Sequence, residues 1–322
     1  MKLSVALCTY NGSKYITQQL DSIIHQTEKV HQIVICDDQS TDNTMEILNG
    51  YQSKFPELFS VHQNEVNLRS NKNFEKAISL CDGDFIFLSD QDDLWRNDKV
   101  EKTMAKFKEV PSAEAVFSNA DLINDFGENY TEYSLWDNVM FLEKEMEKPI
   151  DLLLHITQKT NYLTGATLCF KKQVKNVLLP FPNLNKLFHD EWIALVLASR
   201  KTLHYSTEKL ISYRIHSGQQ IGAIRAEKVE RSTQIARFIL GMEKTTNFKY
   251  LFKIYKSYFR NYTKFKQLKD SNGLITVVNV EELINFNIIK IKETEKALKK
   301  SNFVLYYINK ITDKIRGKRQ IK

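Results

Sequence analysis

The run Phe85-Ile86-Phe87-Leu88-Ser89-Asp90-Gln91-Asp92-Asp93 passes from an apolar stretch of strand length directly into three carboxylates. A strand buried in a parallel sheet reads as a continuous apolar run, and ligands bind beyond the carboxyl ends of such strands. Oxygen ligands there suit Mg²⁺ or Mn²⁺, hard cations that one or two carboxylates can hold while water and phosphate oxygens fill the other positions. The alternative is an acidic turn ahead of the next helix, with Asn97 as its N-cap. Two earlier apolar runs favour the cation site: Leu3–Cys8 ends in Thr9-Tyr10-Asn11-Gly12, and Gln32–Cys36 ends in Asp37-Asp38-Gln39-Ser40-Thr41-Asp42. Polar groups close three strands in succession. In the first of these turns Gly12 is expected to take a positive φ.

Positioning these ends requires a sheet with helices between its strands. A helical pattern follows each run: Tyr15, Ile16, Leu20, Ile23 and Ile24, then Met45, Ile47 and Leu48, then Val100, Met104 and Phe107. A further strand at Phe59–His62 and a helix at Asn73–Leu80 complete the alternation, so the first 120 residues are expected to be a doubly wound α/β domain. Linkers are expected around Asp125–Asn129 and Gly218–Gly222.

Composition narrows the class. The 322 residues exceed a typical single domain and can bury a sizeable core. No start segment has a signal peptide's pattern, and no stretch approaches ~20 uninterrupted apolar residues, so a membrane span is not expected. Cys8, Cys36, Cys81 and Cys169 lack metal-ligand spacing and read as reduced core residues, which points to a cytoplasmic protein. Neither a dinucleotide fingerprint nor a P-loop occurs. A D-x-D-x-T phosphatase would need a Thr where this chain has Leu94. Nucleic acid is not expected as a partner, because acid-lined strand ends repel phosphate unless a cation intervenes.

The net charge of +7 is unevenly divided: residues 1–224 carry 23 Lys+Arg against 30 Asp+Glu, and 225–322 carry 23 against 9. The basic part holds Phe248, Phe252, Tyr255, Phe259 and Tyr262 at helical spacing among lysines, then Phe303, Tyr306, Tyr307, Ile308, Ile311 and Ile315 beside Lys310, Lys314, Arg316, Lys318 and Arg319. Those stripes either pack as core or lie on an anionic bilayer surface.

The order T-Y-N-G, D-D-x-S-x-D, D-Q-D-D-x-W, each closing a strand, resembles the GT-A-fold glycosyltransferases of family 2 over residues 1–220. Its D-Q-D-D-x-W form is most similar to bacterial rhamnosyltransferase-type enzymes of surface-polysaccharide synthesis. The resemblance implies a Rossmann-like, mostly parallel catalytic domain over 1–224, with a nucleotide half at 1–120 and an acceptor half at 121–224, followed by a basic helical region at 225–322. It implies an inverting transfer, dependent on Mn²⁺ or Mg²⁺, from a nucleoside-diphosphate sugar (dTDP-rhamnose or a UDP-sugar) to a glycan or lipid-linked glycan at the inner face of the cell membrane. The contrary reading is an inactive scaffold of the same fold, or a membrane-surface adaptor using the basic C-terminus.

The resemblance also assigns residues. Thr9, Tyr10 and Asn11 flank the base, and Asp38 accepts its imide N–H. Asp92, with Asp90 or Asp93, makes the metal and ribose contacts. The chain departs from the family at Asn67–Asn73, where N-x-G and A-R-N are usual. Arg69 or Lys72 would there supply a cation near base or diphosphate, a solvated helix start being the alternative. After the acceptor stretch Asn161–Thr167, the segment Phe188-His189-Asp190-Glu191-Trp192 carries the base, Asp190 or its neighbour Glu191, unless Asp190 only caps the helix Trp192–Ala198. Arg214 and His216, in Tyr213-Arg214-Ile215-His216, would hold the diphosphate or the metal.

Overall fold

The computed structural model describes residues 1–139, 141, 143, 150–158, 161–184, 187–219, 246–270 and 280–319. The chain divides into two compact units, one of Met1–Phe141, Tyr162–Phe181 and Leu187–Lys228, the other of Leu142–Asn161, Pro182–Lys186 and Val229–Lys322. The boundary expected near residue 225 lies outside the described residues, as does the end of the linker expected at Gly218–Gly222.

The first unit is built on β1 (Leu3–Thr9), β2 (Gln32–Asp37), β3 (Phe59–Gln63), β4 (Phe85–Ser89), β5 (Leu94–Trp95), β6 (Ala115–Ile123), β7 (Leu168–Lys171) and β8 (Leu203–Arg214), in one sheet of order β3-β2-β1-β4-β7-β6-β8-β5. The expected alternation is present: α1 (Ile16–Ile24), α2 (Thr44–Lys54) and α3 (Arg69–Leu80) are the crossovers of a parallel β3-β2-β1-β4 half. Parallel strands need such crossovers, and covering helices make the strands uniformly apolar. Leu3, Val5 and Leu7 of β1 accordingly sit in one core with Ile16, Leu20 and Ile23 of α1.

Beyond β4 the sheet is mixed. Strand β7 runs antiparallel to both β4 and β6, β6 and β8 are parallel, and short β5 pairs antiparallel with the end of β8. Helix α4 (Lys99–Glu109) lies between β5 and β6, and α5 (Leu135–Val139) follows β6. α7 (Lys175–Leu178) and α8 (His189–Ser199) follow β7 and come before β8. The linker expected at Asp125–Asn129 is instead a tight reversal after β6: the Asn124 amide donates to the Glu128 carbonyl, Ile123 bridges Asn129, and Gly127 takes φ 85°.

In the second unit, α6 (Leu152–Gln158), α9 (Phe248–Asp270), α10 (Val280–Ser301) and α11 (Phe303–Ile315) are described. The aromatic stripe of α9 is core: Tyr255, Phe259 and Tyr262 pack with Ile291, Leu298 and Tyr306. Tyr255 and Lys310 both donate to Glu295. No described helix is long and apolar enough to cross a membrane.

Candidate active site

Strand register gathers the polar ends. Thr9 is level with Asp37 across β1–β2, and Leu7 is level with Ser89 across β1–β4, so the three acid- and amide-bearing turns leave the sheet at one edge. Thr9 is buried and donates through Oγ1 to Asp37 Oδ2 (2.9 Å), while Asp37 also receives the Ser40 amide. The positive φ falls on Asn11 (49°), not on Gly12. Asn suits that region because its side chain bonds locally: Oδ1 accepts the Thr41 amide at 2.8 Å. A Cβ on Gly12 would sit 2.2 Å from Gln91 Oε1, so the Gln91 side chain would have to move. Gln91 in turn clasps Tyr10, accepting from its amide (2.8 Å) and donating to its carbonyl (3.1 Å). This lock between the first and third turns leaves the Tyr10 ring partly exposed for stacking.

The D-Q-D-D turn is held from β8. Pairing of Leu94 with Ser212 brings Arg214 and His216 under the acids. His216 Nε2 lies 2.9 Å from Asp92 Oδ2, and its ring packs against Tyr15 at 4.8 Å. Asp93 turns inward: Oδ1 accepts the Arg214 amide at 3.1 Å, and Oδ2 is buried with no partner. Arg214 is fully buried, its guanidinium donating to the carbonyls of Asp92, Asn124 and Asp125 and to Gln18 Oε1. These bonds brace the loops around the acid turn. Among the described residues no group of three His, Cys, Asp or Glu side chains is gathered closely enough to hold a metal ion. Asp92 and His216 still stand side by side, and two protein ligands fit a hard cation completed by water and phosphate.

Asp38 is buried, accepting from Asn64 Nδ2 (2.8 Å), the Leu68 amide (2.7 Å) and the Arg69 amide (2.8 Å). It thus anchors the start of α3, where Arg69 takes φ 62°. Lys72 pairs with Glu75 one turn along the same helix.

Helix α8 starts earlier than expected, with Phe188 at the N-cap, so Asp190 is a first-turn residue and not the cap. A carboxylate in a helix's first turn is stabilised as the anion, the form a base requires. His189 fixes that turn. Its ring stacks on Phe74 (centroids 4.1 Å), its amide donates to Asn71 Oδ1 (2.8 Å), and neither ring nitrogen has a partner. Burial alone draws the imidazole down to about 3, so it is a neutral wedge. A Cβ on Gly165 would meet His189 Nε2 at 2.7 Å. Gly165→Ala is therefore expected to displace the wedge, lowering kcat/KM about tenfold and stability by about 1–3 kcal/mol. In Gly165→Ala/His189→Ala the two losses should be less than additive, as measured by thermal unfolding and initial rates.

The acids share one field. Burial, then the charges of Asp92 and Asp190, push the Asp90 carboxyl up to about 7. Burial raises Asp93 well above the carboxylate range, and it raises the Tyr213 phenol, on which Asp93, Asp90, Asp92 and Asp190 all press in the same direction. Lys99, missed in the sequence, is the buried counter-charge: burial draws it down to about 7, and its ammonium donates to the Ala166 carbonyl and lies 3.9 Å from the Trp95 ring centroid. Its signal was a Lys in the first turn of a helix directly after the acid turn. The expected cap Asn97 is not used, since α4 begins after Asp98.

A carboxyl with a raised folded-state pKa binds its proton more tightly folded than unfolded, so the stability that its protonated form contributes is full below the ordinary carboxylate value and is lost as pH climbs from there through the folded value near 7. Asp90→Asn should raise stability by about 2 kcal/mol at pH 8 after screening, and by almost nothing near pH 3.5, below the ordinary carboxylate range, where Asp90 is protonated in both the folded and the unfolded chain. Chemical denaturation of the ligand-free chain at both pH values checks this.

Comparison with known proteins agrees with this geometry. The family model described as "Glycosyl transferase family 2" matches residues 4–169. The dTDP-rhamnosyl transferase RfbG of Shigella flexneri is 28% identical over 229 residues, covering 67% of this chain and 74% of that protein. The putative glycosyltransferase EpsE of Bacillus subtilis is 29% identical over 126 residues, covering 39% of this chain and 45% of that protein, less than half its length. In fold, the chain is similar to S. aureus TarS 1-349 solved in complex with UDP, with a TM-score of 0.53 at 17% identity, covering 94% of this chain and 91% of that one. Three strand ends in register, the acid turn they frame and a family match over half the length lead to one assignment: the chain belongs to glycosyl transferase family 2 and is a GT-A-fold glycosyltransferase.

Proposed function

We propose that this glycosyltransferase is inverting and divalent-cation-dependent, and moves one sugar from a nucleoside-diphosphate donor to a bacterial surface glycan, the acceptor being a glycan or lipid-linked glycan at the cytoplasmic membrane face.

 
The support is the meeting of two acid segments far apart in sequence, since the charge of Asp190 helps push Asp90 up to about 7. Asp190 is the base that takes the proton of the acceptor hydroxyl as that oxygen attacks the anomeric carbon from the face opposite the diphosphate. A divalent ion held by Asp92 and His216 would act as a Lewis acid on the leaving diphosphate. Tyr10 and Asn11 edge the nucleotide base, Asp38 offers its remaining lone pair to the imide N–H, and Asp90 faces the ribose. Lys72, paired with Glu75 on α3, is the cation available to the base or diphosphate. Similarity to the dTDP-rhamnosyl transferase of Shigella flexneri favours dTDP-rhamnose, and similarity in fold to TarS, which was solved with UDP, keeps UDP-sugars as candidate donors.

The test is nucleoside-diphosphate release from a panel of UDP-, dTDP- and GDP-sugars, with Mn²⁺, with Mg²⁺ and with EDTA. Release from one donor that stops in EDTA supports the reading. Release undiminished by EDTA removes the cation from it, and no release or donor binding under any condition removes the donor class.

A further inference from the structure

We propose that α11 is an interfacial helix that lays its outer face on an anionic lipid surface. Val304, Ile308, Ile311 and Ile315 follow one another at helical spacing and are 66%, 54%, 58% and 80% exposed. Tyr306 and Asp313 face the other way and are buried, so the helix is anchored by its polar-and-aromatic side and presents its apolar one. A folded helix normally does the reverse, and a contiguous exposed apolar stripe marks an interaction surface. The stripe's length, about 17 Å for eleven residue steps, is too short to span a bilayer and fits one lying in its interface.

Charge selects the occupant. The single acid of the helix, Asp313, turns inward and is paired with Arg319. Lys314 and Arg316 border the stripe, and Lys318 follows it. A second copy docked face to face would set two basic rims against each other, whereas anionic headgroups neutralise the rim as the apolar side chains enter the acyl boundary.

The test is co-sedimentation of the full chain with vesicles of phosphatidylcholine alone and of phosphatidylcholine with about one-third phosphatidylglycerol. The expected result is binding to the anionic vesicles at least about tenfold tighter than to the neutral ones. Lys314→Gln and Arg316→Gln should each weaken it about fivefold, and Ile308→Gln/Ile311→Gln at least about tenfold. All four side chains are exposed, so unchanged thermal unfolding of the variants separates lost binding from lost fold. Equal binding to both vesicle types, no binding to the anionic ones, or unaltered binding by the Ile308→Gln/Ile311→Gln chain overturns the proposal. So does a dimer in sedimentation velocity that the same double variant dissolves, because the face would then belong to a second copy.

Discussion

Asp190→Asn should lower kcat about 10³-fold while changing donor affinity less than about threefold, the pattern of a lost general base. Asparagine keeps the shape and cannot take a proton. Glu191→Gln should cost less than about tenfold, because neighbouring helical residues do not share a face. Asp190 is the member of the pair whose charge acts on both Asp90 and Tyr213. Its own Oδ1 accepts the Glu191 amide at 2.6 Å, which fixes the carboxylate on the first turn of α8. Single-turnover rates and donor titrations on the two variants decide the assignment. Loss of rate in Glu191→Gln with Asp190→Asn near wild type would exchange their roles.

Asp92→Asn should reduce metal-supported turnover by at least about 10³-fold, since a Lewis acid contributes several kcal/mol to a leaving diphosphate. His216→Ala should cost about 10–100-fold, because the imidazole both neighbours Asp92 and packs on Tyr15. Raising the Mn²⁺ concentration should recover part of the His216→Ala loss and almost none of the Asp92→Asn loss. Equal recovery in both would mean that Asp92 only orients the turn.

Local patterns made the first half of the site legible. Buried parallel strands announce themselves as apolar runs, and β1, β2 and β4 each end in the polar turn that their sequence shows. The mixed half of the sheet was less visible, because β5 has two residues and β7 four, too short to show a period. Its pairing with β8 decides where Arg214 and His216 go, and that depends on contacts between segments more than a hundred residues apart. For the same reason the inward turn of Asp93 and the burial of Arg214 were not legible: spacing reveals that a group is near a site, not which way its side chain turns. Gln91, Lys99 and His189 escaped notice because each works by filling space or balancing charge against a distant partner, Gly12, Asp93 or Gly165. The C-terminal stripes looked alike in sequence, yet the aromatics of α9 are packed while Val304, Ile308, Ile311 and Ile315 of α11 are exposed, a difference set by which helices meet.

The most direct test of the central claim, that a nucleoside diphosphate docks on these strand ends through a cation at Asp92, is calorimetric titration of the wild type and Asp92→Asn with UDP and dTDP. Each is run in Mn²⁺ and in EDTA. The account predicts that Mn²⁺ tightens wild-type binding of the preferred nucleotide at least about tenfold and leaves Asp92→Asn binding unchanged. Wild-type affinity that is the same in Mn²⁺ and EDTA, or an equal gain in the variant, would contradict it.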